Sequence, residues 1–172
     1  MATGDSLLFI TPASAEPPAA DYATLGTRTG TGDTPGQVIQ HLLFDDSTDE
    51  FADFRGHLPD QYSGGGLTLK ISFASGAATS GNAVITAAFK SITDDVDDLD
   101  TKAFAAANSV TKATASAAGE EAVATITFTD GADMDSVAAN EDFYLRLSRD
   151  ADNGSDTLVG DLQLRSIAIT ET

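Results

Sequence analysis

The chain has 172 residues, of which 41% are hydrophobic, with a formal net charge of −18 at pH 7 and no cysteine or tryptophan. This length and apolar fraction are typical of one domain with a buried core and argue against wholesale disorder. The lack of cysteine excludes disulfides and thiolate chemistry, and the acidic balance argues against binding to nucleic acid or to an anionic membrane surface.

The first residues carry no feature of a targeting segment. They include no basic stretch, and their apolar run covers only Leu7 to Ile10. Such a run is too short for a signal sequence or a membrane span. We therefore expect a soluble protein that is not directed for export.

Hydrophobic alternation and turn residues predict about eight to ten strands. A short apolar strand at 6–11 ends at Pro12. Residues 12–36, rich in Ala, Pro, Thr and Gly, are interpreted as an extended arm or long loop that a strand at 22–28 interrupts. Further strands are predicted at 38–44, from Phe51 onwards, and at 67–75, 83–93, 109–117, 122–129, 142–149 and 156–170.

Few helices are expected. Short helical turns are predicted at 101–108 and 134–139, and a change of alternation around Ser166 indicates a β-bulge. Many strands with few helices favour an all-β fold, an antiparallel β-sandwich with jelly-roll topology. The predicted organisation is an N-terminal strand and extended arm in residues 1–36, followed by the sandwich domain in residues 37–172.

The stretch "HLPDQYSGGGLTLKISFAS" marks the entry into a core strand. Pro59 and Gly64 to Gly66 precede an alternation in which Leu67, Leu69, Ile71 and Phe73 share one face. We expect the glycines to adopt positive φ in the turn. They do not form a phosphate loop, because no Lys-Ser/Thr pair or helix follows them.

The stretch "SRDADNGSDT" contains the strongest metal-site candidates, Asp150, Asp152 and Asp156. Calcium loops use oxygen ligands at alternate positions around a glycine. Here the glycine comes one position early and no closing Glu follows, which favours a solvated turn. The five aspartates of loop 93–101 are interpreted in the same way. No metal or other cofactor is expected.

Catalytic residues are scarce. The two histidines are His41, in an apolar strand and interpreted as half-buried, and His57, in a turn, and no G-x-S-x-G motif is present. The protein is therefore predicted not to be an enzyme. Sugar-binding aromatics are also few, because the chain has three tyrosines, Tyr22, Tyr62 and Tyr144, and most phenylalanines, Phe104 included, are interpreted as core.

The run "LLFDDSTDEFADFRGHLPDQYSGGGLTLKISFASGAATSGNAVITAAFKSI" resembles a family of small virion-associated proteins of tailed bacteriophages. The resemblance extends over most of the chain beyond about residue 20, although the tryptophan usual in the strand after Asn82 is missing. The matching positions are Phe44, Asp45, Ser47 to Glu50, Phe54 to Gly56, Leu58, Pro59, Tyr62, Gly64 to Gly66 and Ala78 to Asn82.

The resemblance implies a structural virion protein with a jelly-roll or β-sandwich fold. The leading expectation is a capsid decoration (cement) protein, a homotrimer that binds the major capsid protein on the outer surface of a tailed-virus head and grips it with the segment 12–36. The first alternative is a tail, neck, turret or fibre β-module, including one that binds glycans. The second is a free carbohydrate-binding module or inhibitor with no virion role.

Overall fold

The computed structural model describes residues 4–172, which form eleven strands and two 3₁₀ turns, at Pro12–Ser14 and Ala132–Met134. No helix in this range is long and apolar enough to cross a membrane. The strands are β1 Ser6–Ile10, β2 Ala15–Glu16, β3 Thr24–Thr29, β4 Val38–Phe44, β5 Glu50–His57, β6 Leu67–Ser75, β7 Asn82–Ile92, β8 Asn108–Ala113, β9 Glu121–Phe128, β10 Asp142–Arg149 and β11 Leu162–Glu171.

These strands form two antiparallel sheets that pack face to face. Sheet A has the order β3-β4-β11-β6-β9, with β1 also pairing with β11, and sheet B has the order β2-β5-β10-β7-β8. One edge of β11 pairs with β4 over residues 162–164 and with β1 over residues 167–170. The predicted all-β jelly-roll sandwich is confirmed.

A continuous apolar core fills the space between the sheets. Leu67, Leu69, Ile71 and Phe73 of β6 are all fully buried, as their alternation predicts. Phenylalanine rings from both sheets meet at the centre, where Phe89 lies edge-on to another ring with centroids 4.9 Å apart. The irregularity predicted near Ser166 is present, since the register of β11 against β6 shifts between residues 164 and 166.

The glycine run before β6 serves two different needs. Gly64 has a φ of +83°, which only glycine adopts readily, as predicted. Gly66 has no such φ, but a Cβ there would overlap the carbonyl oxygen of Phe128 on the neighbouring strand. The run therefore combines a tight turn with a close backbone approach.

Three short strands of residues 1–36, the segment predicted as a strand and an arm, pair with strands of the two sheets. β1 pairs with β11, β2 pairs with β5 and β3 pairs with β4. Residues 17–21 and the loop between β3 and β4 lie outside the strands, and the backbone N–H of Gly30 donates to the Gln37 carbonyl across that loop at 2.8 Å. The Ala-, Pro-, Thr- and Gly-rich sequence of this segment therefore forms short strands, which pair through backbone hydrogen bonds with the strands beside them. Residues 1–3 of this segment lie outside the described residues.

The helical turn predicted at 101–108 is wrong, and the turn predicted at 134–139 shares only Met134 with the observed 3₁₀ turn, Ala132–Met134. The backbone N–H of Ala105 donates to the Phe89 carbonyl at 2.8 Å, so this segment follows the edge of β7 instead of coiling. In the second segment the 3₁₀ turn ends at Met134, because Asp135 and Ser136 have positive φ. The last strand begins at Leu162 and not at 156, after a turn that contains Gly160 at φ +82°.

Candidate functional site

The outer face of sheet B brings together aromatic and charged side chains from three central strands and one loop. Residues opposite one another across β5, β10 and β7 point away from the core in rows, as in the row Asp53–Arg146–Ala88. We call this surface the sheet B platform. Its residues are Phe51, Asp53, Arg55, Lys90, Phe104, Tyr144 and Arg146.

Cations and aromatic rings alternate across the platform. The Cζ of Arg146 lies 5.5 Å from the ring centroid of Phe51 and 4.4 Å from that of Phe104. The Nζ of Lys90 lies 5.1 Å from the Phe104 centroid and 4.9 Å from that of Tyr144. These distances are typical of cation–π contacts. All five side chains are half-buried, so parts of the three rings face solvent.

Ion pairs fix the arginines of the platform. Arg146 and Asp53 form a two-pronged pair with both N–O distances at 2.7 Å, and the hydrogen bonds with Asp53 raise the pKa of Arg146. Arg55 pairs with Asp142 at the adjacent end of β10. Lys90 has no carboxylate within salt-bridge distance among the described residues. The platform therefore holds one cation whose charge is not neutralised locally.

His57 borders the platform and shares a carboxylate with Arg55. Its Nδ1 lies 2.8 Å from Oδ1 of Asp142, and this hydrogen bond raises the histidine pKa. The pKa of Asp142 is lowered, first by Arg55 and then by His57. The predicted turn position of His57 is wrong by a small margin, since it is the last residue of β5.

Phe104 lies on this surface and not in the core, which corrects the sequence interpretation. Its loop, residues 93–107, folds back over β7 and is fixed by Lys102, whose Nζ lies 2.9 Å from Asp97 and 3.2 Å from Asp135. Asp97 also accepts a hydrogen bond from the Thr93 backbone, which lowers its pKa. This anchoring holds the Phe104 ring against Arg146.

The three tyrosines are dispersed. Tyr144 belongs to the platform. Tyr62 is buried, its hydroxyl donates to the Gly65 carbonyl, and burial raises its pKa to about 12. Tyr22 is exposed and lines an apolar cavity of about 210 Å³ at the sandwich edge, together with Leu25 and Phe51. Because Phe51 also contacts Arg146, this cavity adjoins the platform.

The predicted calcium candidates separate in the structure. Asp150 and Asp152 lie together with Asp49, and carboxylate oxygens of the three fall within 4.8 Å of one another. Asp156 is not part of this cluster, because it forms a buried ion pair with Arg149 at 2.8 Å. Asp49 was missed because it lies on a different loop, about a hundred residues earlier. Its Oδ1 accepts a hydrogen bond from the Ala151 backbone N–H at 2.7 Å. This bond joins the two loops and so brings the three carboxylates together.

The histidines lie on different sheets. His41 is buried in β4, more deeply than the half-buried position expected, and His57 is exposed at the end of β5. Among residues 4–172, His57 contacts Asp142 and Asn140, and neither histidine contacts a serine or threonine hydroxyl. The described residues thus contain no hydroxyl–histidine pair of the kind used for nucleophilic catalysis.

Comparisons with known proteins identify the fold. A scan against protein-family models and a search of curated proteins both found no match. Among solved structures, the CBM35 module of Cellvibrio japonicus Abf62 is 16% identical, with a TM-score of 0.52 over 95% of this chain and 92% of its own length.

The CBM22-1–GH10 modules of Clostridium thermocellum xylanase 10B, complexed with xylohexaose, have 13% identity and a TM-score of 0.51 over 98% of this chain and 29% of theirs. At these identities the likeness establishes the fold alone. The carbohydrate-binding neighbours support the β-sandwich part of the resemblance to virion proteins and give the virion part no support.

Proposed function

We propose that this protein is a non-catalytic glycan-binding module that uses the sheet B platform as its binding surface. The observation that carries the proposal is the row of half-exposed rings, Phe51, Phe104 and Tyr144, held in place by Arg146 and Lys90. Aromatic faces provide flat apolar area for the C–H faces of sugar rings, while neighbouring charged groups hydrogen-bond to hydroxyls.

The shape of the surface favours a polymer over a single sugar. The rings come from β5, β10 and the loop beside β7, so they extend across the sheet without forming an enclosed pocket. An open row of this kind suits several consecutive sugar units. Because the structural neighbours include the modules of a xylanase complexed with xylohexaose, xylan is the first ligand to test.

The carboxylates of the platform support binding and not hydrolysis. Glycoside hydrolysis needs one carboxyl group free to donate a proton and another free to act as base or nucleophile. Asp53 is held by both prongs of Arg146, and Asp142 is shared by Arg55 and His57. The oxygens of both carboxylates are therefore occupied by cations, and Arg55 and His57 lower the pKa of Asp142.

The virion context stays a prediction. Capsid decoration, the homotrimer and the major capsid protein as partner concern assemblies, whereas the structure describes a single chain. A glycan-binding module is compatible with the alternative of a tail, neck, turret or fibre part, because such parts contact host surfaces. The location of the protein is therefore separate from the binding function proposed here.

The proposal is tested by titrating soluble xylan, laminarin and cellulose oligomers in isothermal calorimetry. Wild type should bind at least one of them, and Phe104→Ala and Tyr144→Ala should each weaken that binding about tenfold, which corresponds to about 1.4 kcal/mol. Phe9→Ala is the matched control, since Phe9 is 67% exposed on sheet A. Unchanged melting temperatures would show that the variants fold.

Two results would contradict the proposal. The first is an absence of binding by wild type to all three neutral polysaccharides. The second is binding that Phe104→Ala and Tyr144→Ala leave as strong as in wild type, because the platform would then not be the site.

A further inference from the structure

The outer face of sheet A differs in charge from the rest of the chain. The six strands of this sheet contain only two of the 27 acidic residues, Glu121 and Glu171. Glu171 is buried at the end of its strand, where it accepts a hydrogen bond from the Ser63 backbone. The same strands carry Arg28, Lys70 and Arg165. A chain of net charge −18 thus presents one face with more cations than anions.

Two arginines on this face lack acidic partners. Arg55, Arg146 and Arg149 each pair with an aspartate. Arg28 and Arg165 have no carboxylate within 4.0 Å among residues 4–172. In so acidic a protein, a guanidinium group would form an ion pair if the fold placed a carboxylate close to it. Within the described residues, Arg28 and Arg165 therefore lack carboxylate partners because this face of sheet A has few acidic residues.

The strand register places these arginines around His41. In β3 and β4, His41 is opposite Gly26 and Ile39 is opposite Arg28, two positions further along β3. On the other side of β4, the last recorded pair is Leu42 with Leu164, so Arg165 follows beside His41. Both guanidinium charges act on the imidazole of His41. Burial is the largest cause of its lowered pKa, and the charges of Arg165 and then of Arg28 lower it further.

Buried polar atoms without partners lie at the same place. Nδ1 of His41 and Oε1 of Gln163 are buried and make no hydrogen bond within the described range. Gln163 is opposite Leu43, one row from His41. The Arg28 guanidinium lies over Gly119, with Nη1 2.7 Å from where a Cβ would be, so any side chain there would displace it.

We propose that Arg28 and Arg165 form a second binding site, which takes the carboxylate or sulfate group of an acidic polysaccharide on the outer face of sheet A. The planar guanidinium fork matches such groups in two-pronged geometry and retains its charge at all relevant pH values. The negative charge elsewhere on the protein does not prevent this contact. At about 0.15 M ionic strength, salt screens the repulsion from those charges over a distance of about 8 Å. The site does not depend on the sheet B platform.

Calorimetric titration with dextran sulfate and polygalacturonate tests the proposal, with unmodified dextran as the neutral polymer. Arg28→Gln and Arg165→Gln should each weaken binding to the anionic polymers about tenfold or more. Lys112→Gln removes the same charge from an exposed position of β8 and should change binding less than about twofold. Equal losses in all three variants would reduce the effect to net charge and overturn the proposal.

NMR titration of the two histidines locates the bound anion. An anion between the arginines offsets their charge, so the pKa of His41 should rise when dextran sulfate binds, while that of His57 on sheet B stays unchanged. A shift of His57 alone would place the anion elsewhere and overturn the site. Sodium sulfate is the comparison: if it shifts His41 at the same sulfate concentration as the polymer, the site takes a free anion and the polysaccharide assignment fails.

The two binding surfaces can be told apart in one set of variants. Phe104→Ala should weaken neutral glycan binding and leave dextran sulfate binding intact, and Arg165→Gln should have the opposite effect. Loss of both activities in either variant would point to a single shared site and contradict the second site. Failure of the platform proposal alone would leave the Arg165→Gln result unaffected.

Discussion

Arg149 and Asp156 form the most deeply buried ion pair among residues 4–172, with side chains 1% and 2% exposed. Arg149 also donates to the carbonyls of Gly160 and Leu158, and Asp156 accepts the Val84 backbone N–H at 2.9 Å. The pair thereby joins β10, β7 and the loop before β11. An aspartate that its sequence context marks as a weak calcium ligand acts instead as a structural cross-link.

Replacing Asp156 should destabilise the protein strongly. Asp156→Asn leaves the Arg149 charge buried without its counterion, which typically costs about 3–5 kcal/mol. Urea unfolding measures the change in the free energy of unfolding. Asp33→Asn, at an exposed loop position, is the control and should stay within about 0.5 kcal/mol. A loss below about 1 kcal/mol for Asp156→Asn would mean that water or rearrangement compensates Arg149.

The two histidines should titrate on opposite sides of the ordinary histidine pKa of 6.5. Asp142 stabilises the charged form of His57, so its stabilising contribution is present at low pH and is lost as the pH rises through the raised pKa. His41 resists protonation, so it costs stability as the pH falls below 6.5. NMR titration measures both values. Asp142→Asn should lower the pKa of His57 and leave His41 unchanged; no response of His57 would contradict the pairing.

Individual elements show how far the sequence predicts the fold. The alternation of Leu67, Leu69, Ile71 and Phe73 depends on local pattern alone, and β6 matches its predicted bounds. The loop that carries Phe104 was misread as a helical turn because its alanines favour helix, whereas a backbone bond to Phe89 holds it against β7. The helix propensity of this loop is overridden because the edge of β7 provides a backbone carbonyl to which the loop can donate a hydrogen bond.

The binding surface could be predicted much less well than the fold. Arg146 lies beside Asp53 only because β10 pairs with β5 in one register, across a separation of 93 residues. Phe51 and Phe104 carry no local signal that distinguishes them from core phenylalanines. From the sequence, Tyr144 is only one of three tyrosines, and the supply of sugar-binding aromatics is interpreted as thin. Without an established register, the sequence does not show which aromatics share an outer face.

The loop cluster of Asp49, Asp150 and Asp152 tests the expectation that no metal is required. Without a cation the like charges repel, and the pKa of Asp152 is raised, first by Asp49. The ionisation of Asp152 thus lowers stability as the pH rises from its ordinary pKa of 3.8 through the raised pKa of the folded protein. Asp152→Asn should raise the melting temperature at pH 7, and a chelator should leave that of wild type unchanged. A fall on chelation that calcium reverses, with Asp152→Asn less stable than wild type, would show a calcium site.

The charge of the whole molecule is distributed by layer. Sheet A contains two acidic residues, and the aspartates concentrate in connections such as 45–49, 93–101 and 150–161. Repulsion between like charges is therefore concentrated at the loops, while both outer sheet faces carry cations. Among residues 4–172, Arg55 and Arg146 on sheet B pair with aspartates and Lys90 does not, and around His41 on sheet A the arginines are unpaired. Both surfaces that we propose as binding sites thus carry cations, although the protein as a whole is strongly acidic.

The N-terminal segment bears on whether the molecule is one folding unit or a sandwich with a separate arm. An arm would leave residues 37–172 folded on their own after deletion of 1–36. In the structure that deletion removes β1, β2 and β3 and with them the core residues Ile10 and Ala23. It also exposes the backbone edge of β11 at residues 167–170. We therefore expect the deletion variant to unfold or aggregate, as circular dichroism and size exclusion would show.

A nicked protein supplies the matched control, because it breaks the chain without removing strands. A protease site placed between Gly32 and Pro35, in the exposed loop between β3 and β4, separates the same segment covalently. If β1 to β3 are integral to the sandwich, the nicked halves should elute together and melt cooperatively, since strand pairing holds them. Dissociation into a folded 37–172 fragment would instead restore the arm, and with it the idea that this segment grips a partner.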